Sequence, residues 1–516
     1  MVEPQTDARP AVRNHRARDV AIQVIIAVVV GAAVLVAVLF LDPLIVGGVL
    51  LIVAGLFVFR RQFFNWTTML FVLAAVVMFI PIRRYALPIE VGFALEPYRV
   101  LIAGLLIALA VSLIRHGTSR WKPVVWGWPI AIFLWTMFAS LMINAVAITS
   151  AGGMNGGFSN IFQLAFLLSV IVLTRQMLST EKVTMILLNF FVFAGAIVGI
   201  FAFIERVSRR NIFLMLGEFL PLTILRDDAE SLRAGGSRAY ASSQHPIALA
   251  VLFCLIIPIA IYLMRFSPWP RYGFTRKLVY TAAIGAMLVG MLSAVSRTGI
   301  VTLGVMFIFV LIFRPKLAGL LFAIGLPILV VVGLVLPQLF ESMVLSLFDV
   351  EGVIASQLTS PGMAGQGRLA DLPDAFGDFA QNPIGGTGLA SRVVVGEDAN
   401  AQILDNQWLG TLLETGVLGI VGLVALFVWP IFVMMRFALR SNAPESRRFL
   451  TFAIATSTVG YTTAMFFYDA FAFMQTLLVL SMLYAVAAWA MTEGRSTWEK
   501  PSALDASVDR KIRQPA

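Results

Sequence analysis

The chain has 516 residues, 59% of them hydrophobic and 13% charged, with a formal charge of +10. Soluble domains carry about 25% charged residues, so this composition excludes a soluble globular protein. The positive charge does not point to nucleic acid either, because the basic residues cluster at the ends of apolar runs.

Residues 1–18 are polar and carry Arg9, Arg13, Arg16 and Arg18, which mark a cytoplasmic N-terminal tail. The apolar run Val20–Leu41 exceeds a signal-peptide core and has no cleavage site, so it reads as an uncleaved first span. Further apolar runs follow near 44–59, 63–80, 98–114, 124–146, 158–174, 183–204, 246–264, 278–295, 298–313, 317–337, 404–435, 449–467 and 471–491. Each has a length suited to a bilayer. The expectation is an all-α polytopic membrane protein with about fourteen transmembrane helices over 19–491. A disordered cytoplasmic tail at 492–516 follows.

Both termini are placed inside, because the basic turns Arg60-Arg61, Arg314-Pro315-Lys316 and Arg447-Arg448 then face the cytoplasm. Two long loops, about 205–245 and 338–403, then fall outside. Large outward loops are where a membrane protein of this kind meets its substrate. Gly195 and Gly199 are spaced for close helix packing. The single cysteine, Cys254, lies in an apolar run and forms no internal disulfide.

Polar groups gather at the outer ends of these spans. Ser296-Arg297-Thr298-Gly299 turns tightly between two apolar runs, so Arg297 lies at the outer boundary. It either snorkels to lipid headgroups or holds an anionic group such as a diphosphate. Arg238 approaches the mouth of the span that begins at Pro246; the neighbouring charges read as a solvated face. His245 is the outward-facing imidazole, and beside Pro246 it is either a helix cap or a binding group. Leu369, Leu372, Phe376 and Phe379 form one apolar helical stripe that presents Arg368 at its start. Pro373 implies a kink there or a late helix start. Asp405 opens the next span with Asn406, as an N-cap or as a carboxylate base. Glu414 is expected to pair with an arginine. No metal-ligand cluster, phosphate-cradling loop or hydrolase motif is present, so neither a metal nor another cofactor is expected.

Taken together, Ser296–Gly299, Gly367-Arg368 with Asn382-Pro383-Ile384-Gly385-Gly386-Thr387-Gly388, and Asp405–Leu409 with Glu414–Gly419 resemble the O-antigen ligase and O-antigen polymerase superfamily. Arg238 through His245-Pro246 resembles a looser upstream element of the same family. The resemblance covers about residues 230–440.

It implies a GT-C-type glycosyltransferase in the bacterial inner membrane. The donor would be an oligosaccharide on a polyprenyl diphosphate, and the acceptor a glycan or lipid hydroxyl. Other envelope polysaccharide assembly proteins would be partners. Arg297 and Arg368 would then act on the leaving diphosphate, Asp405 as the base, and Arg238, His245, Asn406 and Glu414 in substrate binding. In the ligases a histidine usually precedes the asparagine matched here by Asn406, whereas this chain has Asp405. That departure favours a polymerase over a ligase. A transporter or flippase is a third reading, disfavoured because the ionisable residues collect at the outer face and no repeat is visible.

Overall fold

The computed structural model describes residues 65–88, 94–116, 121–150, 153–225, 232–233, 236–335, 337–349, 351–352, 355, 372–389, 391 and 406–492. The chain divides into two compact units, 1–69 and 70–516. The expected spans at 20–41 and 44–59, both terminal tails, Arg368 and Asp405 lie outside the described residues.

The described chain is almost wholly helical. In order come α1 (Trp66–Phe79), β1 (Tyr85–Ala86), α2 (Pro97–His116), α3 (Gly127–Ile143), α4 (Ala145–Ser150), α5 (Met154–Met177) and α6 (Glu181–Ser208). The strand β2 (Thr223–Ile224) pairs antiparallel with β1 and ties the segment after α1 to the segment after α6. A second two-residue pair joins Leu232–Arg233 to Gly236–Ser237. Then follow α7 (Pro246–Phe266), α8 (Gly273–Ser293), α9 (Arg297–Phe313), α10 (Pro315–Val335) and α11 (Pro337–Met343). The last elements are α12 (Leu372–Gln381), α13 (Gln407–Leu423), a π-helical turn (Val424–Val428), α14 (Trp429–Arg440), α15 (Glu445–Ala464) and α16 (Met474–Thr492).

Seven described helices are long and apolar enough to cross a membrane, and four shorter apolar helices accompany them. This is a multi-pass membrane protein. Helices α7 and α16 form its centre: 83% and 94% of their most apolar windows are buried, against 17% for α2. Helix α2 leaves Ile107 and Ile114 exposed, as a lipid-facing helix does.

Close packing depends on small residues, because lipid supplies no hydrophobic drive between helices. The Gly195/Gly199 expectation is met where α6 crosses α8. A Cβ on Gly199 would lie 2.9 Å from the Ala286 carbonyl carbon, and one on Gly290 would lie 2.6 Å from the Gly199 Cα.

The apolar run at 404–435 is long for one span, and the sequence reads either as a single span or as a span whose first part is a separate interfacial helix. The helix is broken within this run. Gly416 adopts φ 64° and ψ −158°, so two helical segments meet there at an angle. The interruption is about 13 Å along from the helix start, at the standard rise. The described part of helix α12 runs from Leu372, so Pro373 lies in its first described turn.

Candidate functional site

Helices α7, α9 and α13 begin at one end of the bundle, and α6, α8 and α15 finish there. Four polar segments cover this end.

The first is the turn 294–296 between α8 and α9. Val295 takes a left-handed φ of 46°, which turns the chain sharply enough to start α9 at Arg297. Arg297 is half-buried, and its Nε donates to the Ser342 carbonyl at 3.3 Å. Val295 packs on Met343 beneath it, with Leu292, Ile300 and Val344 around them. Arg238 comes from a different loop to the same turn. Its Nε lies 3.4 Å from the Ala294 carbonyl, and Ala239 N–H donates to the Ser293 carbonyl at 3.1 Å. Two of the expected arginines thus share one hairpin.

The second is the loop 238–245, and buried polar groups fix its backbone. Glu205, near the end of α6, is 4% exposed and accepts Ala241 N–H at 2.8 Å and Tyr240 N–H at 3.3 Å. Asn211 Nδ2 donates to the Ala241 carbonyl at 3.0 Å. Arg84 donates to the Gln244 carbonyl at 3.2 Å, and its guanidinium lies 4.7 Å above the Tyr240 ring. From the other side, the buried Gln475 takes the Ser243 hydroxyl at 2.6 Å and donates to the Val77 carbonyl at 2.9 Å. Ala241 itself has φ 46°, a strained value that this set of bonds holds in place. At the end of the loop, His245 Nδ1 accepts Ile247 N–H at 3.2 Å and caps α7. Its ring also packs on Phe473 at 5.4 Å.

The third is the loop 465–473 between α15 and α16, which meets the start of α13. Gln407 N–H donates to the Met465 carbonyl at 2.8 Å, and its side chain accepts Phe471 N–H at 2.9 Å. Trp408 donates to the Thr462 carbonyl at 3.1 Å and stacks on Phe466. Asn406, not Asp405, is the N-cap, accepting Leu409 N–H at 3.1 Å. His245 and Asn406 therefore border the same loop, one through Phe473 and the other through Gln407. That loop also carries Asp469, which is half-buried and accepts Ala472 N–H at 3.4 Å. Sequence reasoning passed over it, since a lone acidic residue in a short loop reads as a solvated group.

The fourth segment is an interlock between the turn 382–388 and the break in α13. Thr387 N–H donates to the Leu413 carbonyl at 2.9 Å and Gly388 N–H to the Glu414 carbonyl at 2.7 Å. In return, Val417 N–H donates to the Pro383 carbonyl at 2.9 Å and Leu418 N–H to the Ile384 carbonyl at 3.2 Å. Every backbone group bonded here would otherwise lie open at a helix break, where an unsatisfied group is costly. Ser140 and Asn144 of the α3 end fasten the turn from behind, at 2.6 Å and 3.1 Å from the Gly385 carbonyl. Glu414 is half-buried at the edge of this break.

The described residues form a multi-pass membrane protein with two arginines at one hairpin and a broken helix elsewhere in the bundle. Residues 282–424 match the O-antigen ligase family. That segment holds Arg297, the 382–388 turn and Glu414–Gly419, so the resemblance to the O-antigen ligase and polymerase superfamily is sustained there. Nothing among the curated proteins matches the chain.

Proposed function

We propose that this protein is an inverting glycosyltransferase that polymerises polyprenyl-diphosphate-linked oligosaccharide repeat units at the outer face of the inner membrane. Its termini would be cytoplasmic and its spans about fourteen. The observation that carries this reading is the convergence of Arg238 and Arg297 on one hairpin, at the bundle end that also presents His245 and Asn406. Two guanidiniums suit a group that gains negative charge as it leaves.

In the reaction, the acceptor hydroxyl oxygen attacks the anomeric carbon of the donor sugar. The bond from that carbon to the diphosphate oxygen breaks, and its electron pair leaves with the lipid diphosphate. Arg297 and Arg368, with Arg238 as a weaker third, stabilise that charge. Asp405 takes the hydroxyl proton, and Asn406 and Glu414 bind the sugars near it.

The second reading is a ligase that moves finished glycan from the carrier to a lipid, protein or wall acceptor. The family matched by residues 282–424 is compatible with either reading, while Asp405 in place of the ligase histidine weighs against a ligase. A broken helix is also a transporter trait. Here, though, the 382–388 turn already hydrogen-bonds the Leu413 and Glu414 carbonyls and the Val417 and Leu418 N–H groups at the break.

The test is the size profile of surface and lipid-linked glycans in a deletion strain complemented with wild type or Arg297→Ala. A polymerase leaves single repeat units when inactive. A ligase strands long chains on the carrier. An unchanged profile with Arg297→Ala overturns the glycosyltransferase reading.

A further inference from the structure

Helices α7, α9 and α14 end, and α15 begins, at the bundle end opposite the arginine-bearing hairpin. A second cationic cluster forms there. Arg314, in the turn between α9 and α10, lies 4.8 Å from the Phe449 ring centre and 4.9 Å from that of Phe452. Both rings are buried, at 5% and 1% exposure, and they belong to a larger aromatic group with Tyr262, Phe266 and Phe309. The Arg314 Nε is buried and makes no hydrogen bond. Arg448, one residue before Phe449, is turned by a 2.9 Å bond from its own Nε to the Ala438 carbonyl. Arg265 completes the group, and its guanidinium is 2.9 Å from Glu445.

The cluster is unbalanced. Its carboxylate, Glu445, already pairs with Arg265, and both are more than half exposed. Burial, followed by the like charge of Arg448, pulls the Arg314 guanidinium below its ordinary pKa. Arginine stays charged even so, and a charged group pressed against like charge calls for an anion. A preference for basic residues on one side of the membrane accounts for Arg314 and Arg448 being basic. It does not account for a guanidinium clamped on two rings with a buried donor left unused.

We propose that Arg314, Arg448 and the rings of Phe449 and Phe452 form a binding site for a phosphate group. Planar guanidiniums suit phosphate oxygens, and basic pockets between membrane helices take anionic lipid headgroups. The two sources of such a group are an anionic phospholipid and free phosphate.

The experiment uses the full chain, purified in neutral detergent and offered phosphatidylglycerol, phosphatidylcholine or inorganic phosphate. Bound lipid is counted by native mass spectrometry, and the melting temperature is followed in parallel. With a lipid source, the wild type retains phosphatidylglycerol over phosphatidylcholine and melts higher with it, while inorganic phosphate changes neither. Arg314→Gln/Arg448→Gln then retains phosphatidylglycerol about thirtyfold more weakly, as loss of two basic contacts near a membrane surface implies. With a free-anion source, inorganic phosphate raises the melting temperature of the wild type but not of the double variant. Arg448→Gln alone, whose side chain is partly exposed and is not among the buried rings, serves if the double variant does not fold. The proposal is overturned if folded variants keep phosphatidylglycerol as the wild type does and phosphate changes nothing.

Discussion

Replacing Gly416 by alanine tests the interlock that holds the break in α13. Gly416 has φ 64° and ψ −158°, a combination that side chains avoid. A Cβ there would lie 2.5 Å from the Ile384 carbonyl carbon and 2.7 Å from Gly386 N. Backbone strain costs roughly 1–3 kcal/mol, and forcing an extra carbon into a packed site costs about 1–3 kcal/mol more. The expected destabilisation is therefore about 2–6 kcal/mol.

Gly410 is the internal control. It lies in the same helix, and a Cβ on it meets nothing within 4 Å. Alanine there removes a helix-weakening glycine and raises stability by about 0.5–1 kcal/mol. The assay is the temperature at which the single cysteine, Cys254, becomes reactive to a thiol-specific dye in detergent. That thiol is fully buried in the folded protein. Gly416→Ala should lower this temperature by several degrees, while Gly410→Ala leaves it unchanged or higher. Equal temperatures for Gly416→Ala and wild type would refute the interlock.

Other outcomes follow from the arginine-bearing end. Arg297→Ala should abolish glycan assembly at unchanged membrane abundance, and Arg297→Lys should restore only a minor part, because lysine lacks the planar fork; immunoblots beside glycan gels would show whether activity and abundance separate. Glu205→Ala strands the Ala241 and Tyr240 N–H groups, at about 1–3 kcal/mol each, and should displace Arg238. Glu205→Gln keeps one acceptor and should retain part of the glycan, so equal activity in the two variants would remove Glu205 from the positioning of that loop. Asp405→Asn should block transfer while Asp405→His keeps some of it. A fully active Asp405→Asn would deny Asp405 the role of base.

The helices were legible because an apolar run must be helical to cross lipid, and each expected span from 63–80 onward is occupied by a helix. The glycine spacing at Gly195 and Gly199 was legible for a similar reason, since it is local. The break at Gly416 was not. The length of the 404–435 run only hints at two segments, and the groups that make the break tolerable lie in a turn far upstream. Asn382–Gly388 and Glu414–Gly419 were each visible as motifs, but nothing local says that one hydrogen-bonds to the other. Glu205 and Gln475 escaped notice because their burial depends on the 238–245 loop folding back between them. Asn406 and His245 show the converse: both were singled out for binding, and both cap the helices that carry them to the bundle end.

The saturated break also constrains how the chain enters the membrane. The first half of α13 ends with the Leu413 and Glu414 carbonyls turned away from the helix, and their donors lie as much as 26 residues earlier. Inserted alone, that half-helix would carry bare carbonyls into hydrocarbon, at several kcal/mol each. The turn at 382–388 must therefore arrive with it. The order of synthesis favours this, because the turn is already outside the ribosome when α13 emerges. The 382–388 turn and the first half of α13 are then expected to enter the bilayer together, and a lesion in the turn should be felt as a failure of the following helix to insert.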